Sequence, residues 1–243
     1  MFSPSVNELD DVDYDLPLMN AQWASLLQNN RLIVTAEMVA VALFPLFLTL
    51  AQLPATITPL LVLGWLSLWL RHISWKEVGL RRPTSWPRII LAGVGLALAG
   101  TFLGERVFSP LLFRLTGQAP PPVVELALLR GNLLYFLILL IGIWLLAALG
   151  EEMVYRGYVL NRLADLFGRS MAGWGIGLVA SSLMFGLGHG LNNLAFLPGI
   201  ILLGLLEGGL YLASRRNLWL PVVFHGTWDT IFLTLTFLGL SWR

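Results

Sequence analysis

The stretch LLYFLILLIGIWLLAAL, Leu133–Leu149, runs directly into GEEMVYRGYVLNRLADLF, Gly150–Phe167, and its reading decides the fold class. A long uncharged apolar run suits a helix in hydrocarbon, where about 20 residues cross roughly 30 Å. Bilayer solvent offers no partner for backbone N–H and C=O groups, so each must be satisfied within the segment, as a helix does. Similar blocks recur at Leu32–Leu53, Thr58–Leu70, Ile89–Leu103, Met171 to Gly188, Leu194 to Ala213 and Leu218 to Leu240. The expectation is an all-α, polytopic transmembrane helix bundle of seven spans, with an eighth if the region near Val123 re-enters. A transmembrane β-barrel is a poor fit, because its strands alternate in short segments.

Composition agrees: 57% of the 243 residues are hydrophobic and 12% charged, against about 25% charged in soluble domains. The net charge of +1 comes with no basic domain or aromatic-interleaved patch, which argues against a nucleic-acid partner. The absence of cysteine excludes disulfides, thiolate catalysis and cysteine metal ligation. Residues 1–30 carry Glu8, Asp10, Asp11, Asp13 and Asp15, and read as an acidic tail rather than a signal peptide. Residues 31–243 then form one transmembrane domain in contact with membrane lipids. Arg71, Lys76, Arg81, Arg82 and Arg88 face a single Glu77 in one short loop, and Arg169, Arg215 and Arg216 lie in two others. That excess predicts a cytoplasmic side for these loops and a cytoplasmic amino terminus. Trp242 and Arg243 suit an interfacial anchor.

Chemistry concentrates in three places. Glu151 and Glu152 follow the quoted apolar run, with Arg156 four residues after Glu152, a spacing that lets the two pair on a helix. Glu151 points about 100° away and needs another partner, a proton or trapped water. A carboxylate in such a setting is suited to general-base work; the competing reading has both glutamates capping a span at the interface. His189 ends an apolar helix, with Phe185 on the same face and Asn192 and Asn193 beyond it. His225 and Asp229 form a second four-residue pair, fit for metal ligation, imidazole orientation or a polar bundle contact. His72 reads as interfacial. If the quoted helix continues to Phe167, Glu151 stands about 24 Å from the turn at ~1.5 Å per residue, and His189 about 28 Å along the next helix. His225, about 15 Å into its own span by the same measure, joins them only with tilt or a kink. Donors at Glu151, His189, His225 and Asp229 are candidates for a divalent metal such as Zn²⁺ that keeps an open position, although no HExxH is present.

Glu151-Glu152-x-x-x-Arg156, Phe185-x-x-x-His189 and His225-x-x-x-Asp229, in that order, resemble the three-part signature of the CAAX-protease and bacteriocin-processing family of intramembrane endopeptidases, the type II CAAX prenyl endopeptidases. The resemblance covers roughly residues 130–235, a protease-like core with its site between helices of the carboxy-terminal half. It implies that Glu151 activates the attacking water with His189. Glu152 and Arg156 would maintain the site, and His225 and Asp229 would stabilise the oxyanion or position the water. The family accepts Asn or Asp at the last position; an ionised Asp cannot donate to an oxyanion as Asn can. The family has been described both as metal-dependent and as metal-independent glutamate proteases. The resemblance implies a membrane-associated or lipid-modified peptide or protein substrate, and a multi-pass protein of a prokaryotic plasma membrane or a thylakoid or other organellar membrane. The rival classes are a proton- or ion-coupled transporter, which intramembrane ionisable residues also suit, and a non-catalytic scaffold retaining the fold. Against the former, no inverted repeat is evident.

Overall fold

The computed structural model describes residues 21–51, 57–117, 128–190 and 197–240. The acidic tail through residue 20, the turn at Pro54, any helix starting near Val123, Asn192 and Asn193, and the Trp242–Arg243 anchor lie outside the described residues. Eight helices are present among the described residues: α1 (Ala21–Asn29), α2 (Arg31–Leu50), α3 (Thr58–Leu70), α4, α5, α6 (Met171–Gly190), α7 (Leu197–Ala213) and α8 (Trp219–Phe237). Helix α4 runs Trp86–Leu103 and continues through a π-helical turn, Gly104–Phe108, into Ser109–Thr116. Helix α5 is one rod over Leu133–Leu166, in which two π-helical stretches, Ile143–Glu151 and Met153–Val159, replace the regular winding. Its start is set by Asn132, whose side chain accepts from the Tyr135 N–H at 3.1 Å. Gly168, at φ 70°, ends it in the left-handed conformation that favours glycine.

The chain is all-α, but the expected count of seven or eight spans does not stand. Four helices among the described residues are long and apolar enough to cross a membrane: Arg31–Leu48, Trp86–Leu115, Leu133–Leu166 and Met171–His189. The reasons are physical. Helix α3 has 13 residues and reaches only about 20 Å at ~1.5 Å per residue. Helix α7, with 17 residues, also falls short of a full crossing. Helix α8 has 19 residues, but His225, Asp229 and its threonines dilute the apolar sequence. In the opposite direction, α4 is longer than the expected Ile89–Leu103 span, because Glu105 and Arg106 sit inside the helix rather than ending it. The long apolar helices, whose outer faces expose residues such as Leu91, Leu115, Leu134 and Met171, make this a multi-pass integral membrane protein.

Polar side chains inside the bundle fasten the helices that carry no chemistry of their own. Arg71 is 5% exposed. It donates to Glu37 Oε2 at 2.6 Å, to Ser67 Oγ at 2.7 Å and to the Leu27 carbonyl at 3.2 Å. Tyr158 of α5 donates to the other Glu37 oxygen, so one carboxylate joins α2, α3 and α5. In sequence Arg71 looks like a loop cation; the fold turns it inward because each of its three side-chain nitrogens finds an acceptor there. Glu37→Ala should therefore leave a buried, unpaired guanidinium and cost about 3 kcal/mol or more, read as a lower melting temperature in detergent.

The basic loops gather at one end. Asn217 donates to the Arg81 carbonyl at 3.0 Å, Arg81 to the Arg215 carbonyl at 2.8 Å, and Tyr211 to the Val78 carbonyl at 2.9 Å. Trp174 underlies both Arg169 and Arg216, whose guanidinium carbons stand 5.4 and 5.1 Å from its ring. At the far side of the bundle α8 packs on α4 where Gly93 and Gly100 face Val223 and Trp228, an approach that small residues permit. Helix α8 is thus held from behind, with its His225 edge directed at α5.

Candidate active site

The site begins with an irregularity in α5. Its π-helical stretches flank Glu152, and such stretches are rare in helices and often mark functional positions. The altered winding is supported by Asn161, whose side-chain amide donates to the Arg156 carbonyl at 2.9 Å, to Gly157 at 3.0 Å and to the Tyr211 hydroxyl at 2.9 Å. Glu151 and Glu152 consequently face two separate environments.

Glu152 faces a closed one. Its Oε1 accepts from Arg156 Nη1 at 2.8 Å. Arg156 Nη2 donates to Glu207 Oε2 at 2.9 Å and to the Gly204 carbonyl at 3.0 Å, both on α7. The Nδ1 of His225 on α8 lies 3.2 Å from Glu152 Oε1 and 3.4 Å from Glu207 Oε1. Facing two carboxylates that only accept, Nδ1 carries a proton that a metal ion on the same three residues would replace. On the other side of the ring, Nε2 stands 3.4 Å from Asp229 Oδ2. Glu152 and Glu207 are both fully buried and Arg156 is 1% exposed. One guanidinium between two buried carboxylates, with an imidazole against both, gives the charge compensation that such burial requires.

Glu151 faces an open environment. Its Oε2 lies 3.3 Å from Nε2 of His189, whose side chain is 38% exposed. His189 Nδ1 is 2.9 Å from the Phe185 carbonyl, one turn back on α6. A carbonyl can only accept, so Nδ1 donates and Nε2 is left to Glu151. The 3.3 Å contact is not a formed hydrogen bond, and Glu151 Oε2 has no hydrogen-bond partner among the described residues. Catalytic contacts are often this loose before substrate arrives. Phe185 links the two environments. Its ring centroid is 4.5 Å from that of His189, 5.1 Å from Tyr155 and 6.4 Å from His225, and the Arg156 guanidinium carbon lies 4.7 Å from it.

The residues singled out in sequence thus fall into two clusters that meet at adjacent positions of α5. His72 lies at the end of α3 with a left-handed backbone, φ 54°, away from both. Glu207 was missed. The signal was there: a lone carboxylate in the apolar helix ILLGLLEGGL, 201–210, of the kind that marks a functional position by default.

Glu152, Glu207 and His225 each offer a ligand atom within 4.8 Å of the others, a trio capable of coordinating a divalent metal ion. Glu152 Oε2 and Glu207 Oε1 are buried without hydrogen-bond partners among the described residues, and an imidazole with two carboxylates suits zinc, so the residues fit. Of the sequence-derived ligand candidates Glu151, His189, His225 and Asp229, His225 alone belongs to this trio.

Fold and site together define a polytopic membrane protein with paired carboxylate–imidazole groups at adjoining positions of one helix. Residues 133–231 match the family model Rce1-like: Type II CAAX prenyl endopeptidase Rce1-like, so a Rce1-like CAAX protease domain is present over this part of the chain. No curated protein matches the chain, nor does any solved structure. The domain and the Glu152–Glu207–His225 cluster support an endopeptidase of the glutamate- or metal-dependent kind.

Proposed function

We propose that this chain is an intramembrane endopeptidase in which the Glu151–His189 pair activates the attacking water. The observation that carries the reading is the contrast between that open pair, with His189 38% exposed, and the closed cluster behind it. A base must reach water and substrate, whereas a scaffold need not. In the proposed reaction Glu151 takes a proton from water as the water oxygen bonds to the scissile carbonyl carbon. The carbonyl π electrons move to oxygen, and the tetrahedral centre then collapses with cleavage of the C–N bond. The proton held by Glu151 passes to the leaving amine, which returns Glu151 to the carboxylate that faces His189. Glu152, Arg156 and Glu207 hold α5, α7 and α8 in register. His225 and Asp229 position the water. A divalent ion on Glu152, Glu207 and His225, when bound, would supply Lewis-acid polarisation.

The proposed substrate is a membrane-associated or lipid-modified peptide or protein. The basic end of the bundle is assigned to the cytoplasm, following the excess of Arg and Lys in its short loops.

The test is cleavage in detergent of a farnesylated peptide with a CAAX terminus and of a membrane-peptide library, read by mass spectrometry with and without a chelator. Cleavage spared by chelator is expected if Glu151 acts without metal; loss that added Zn²⁺ restores would assign the trio as a metal site. No cleavage of either probe by a folded wild type would overturn the reading.

A further inference from the structure

We infer that the Tyr155 hydroxyl donates the hydrogen bond that receives the substrate carbonyl oxygen as it becomes an oxyanion. The inference rests on the endopeptidase reading of the Glu151–His189 site.

Hydrolysis develops negative charge on the carbonyl oxygen, and a preorganised donor at that position accelerates such reactions strongly. Most charged and imidazole nitrogens of the site already face an acceptor. Arg156 Nη1 and Nη2 bond Glu152, Glu207 and the Gly204 carbonyl. His189 Nδ1 is given to the Phe185 carbonyl, and its Nε2 faces Glu151. His225 Nδ1 faces Glu152 and Glu207, and its Nε2 faces Asp229. Asp229, as a carboxylate, offers no proton.

Tyr155 is different. The residue is 4% exposed, its hydroxyl makes no hydrogen bond among the described residues, and the oxygen is not one of the sealed, unpartnered buried atoms, so it keeps some open surface. A phenol whose ring is buried while its oxygen stays open and unbonded is free to donate to a ligand. It lies four residues, about one turn, beyond Glu151 on α5. Its ring is fixed edge-on to Phe185, at 5.1 Å between centroids and 88° between planes. The same Phe185 ring packs on His189 at 4.5 Å. The hydroxyl lies over Gly188, the residue before His189, where a Cβ would stand 2.7 Å from the oxygen. Any larger residue there would force the hydroxyl to shift. Phe185 and Gly188 therefore hold an uncommitted O–H over the residue before His189 and one turn from Glu151. The tyrosine keeps its proton throughout: it donates to the carbonyl oxygen as charge builds and is released from it when the C–N bond breaks.

The test compares wild type, Glu151→Gln, Tyr155→Phe and Gly188→Ala on whichever of the farnesylated peptide and the membrane-peptide library the wild type cleaves. Each is folding-checked by its melting curve. Tyr155→Phe should lower kcat by about 100-fold or more, the scale of one lost oxyanion donor, with KM nearly unchanged. A phosphinic-peptide mimic of the tetrahedral intermediate should lose affinity by a similar factor, which a merely structural role would not produce. Gly188→Ala, which displaces the hydroxyl and leaves the phenol in place, should show the same selective fall in kcat and guards against a misfolded Tyr155→Phe. An inactive Glu151→Gln beside a Tyr155→Phe or Gly188→Ala enzyme with wild-type kcat would overturn the Tyr155 role and leave the endopeptidase reading intact. A fully active Glu151→Gln, or an inert wild type, would overturn both.

Discussion

Glu151→Gln will lower the rate of peptide hydrolysis by about 10³-fold or more while leaving the melting temperature in detergent nearly unchanged. The size follows from what a positioned general base contributes, typically 10²–10⁴-fold. The side chain keeps its shape and can still approach His189, so what it loses is the ability to take a proton. Stability should barely respond, because among the described residues the Glu151 carboxylate pairs only with the part-exposed His189. The same change at Glu152 is a useful contrast: that side chain is fully buried against Arg156 and His225, so Glu152→Gln should disturb the fold as well as the rate. Steady-state kinetics and a melting curve on both variants decide the matter. A Glu151→Gln enzyme with more than a tenth of wild-type activity would remove Glu151 from the role of base.

Arg156→Met should cost about 3–5 kcal/mol, the scale of breaking a buried ion pair from one side. Two fully buried carboxylates, Glu152 and Glu207, would lose their shared cation, and the Phe185 ring would lose the guanidinium packed on it. In a membrane helix bundle that loss shows as poor yield, a lower melting temperature and α7 loosened from α5. Arg156→Lys should rescue little, since a single ammonium cannot reproduce the fork that bonds Glu152, Glu207 and the Gly204 carbonyl together. Adding Glu207→Gln to Arg156→Met removes one of the stranded charges and should recover a substantial part of the stability. Additive losses in the double variant would mean that the two residues do not act on each other.

How much was legible beforehand depends on the range of the interaction. Leu133–Leu166 could be read as one rod because its apolar run and its i,i+4 pair, Glu152 and Arg156, are local to one helix. His225 with Asp229 and Phe185 with His189 are likewise four apart, and their pairings need only helical winding. The number of crossings could not be read in the same way. Apolarity alone does not separate a helix that crosses lipid from one that packs inside the bundle, and α3, α7 and α8 are short or polar. Glu37 and Arg71 show the same limit: they stand far apart in sequence, and only packing reveals that the loop cation and the lone acid of α2 are one ion pair.

By itself, then, the sequence determined that the chain is helical and membrane-bound, and that carboxylates and histidines recur at helical spacing in its carboxy-terminal half. Hydrocarbon solvent and the helical period impose both, and each acts within a single segment. Tertiary structure alone decided which groups share a site. It set Glu207 of α7 between Arg156 and His225, turned Glu151 toward His189 instead of into that cluster, and left the Tyr155 hydroxyl uncommitted over Gly188. Those choices depend on the rotation of α5 through its π-helical stretches and on the small residues that let neighbouring helices close in. Neither is encoded in any one segment, because each is the outcome of several helices satisfying their buried charges at once.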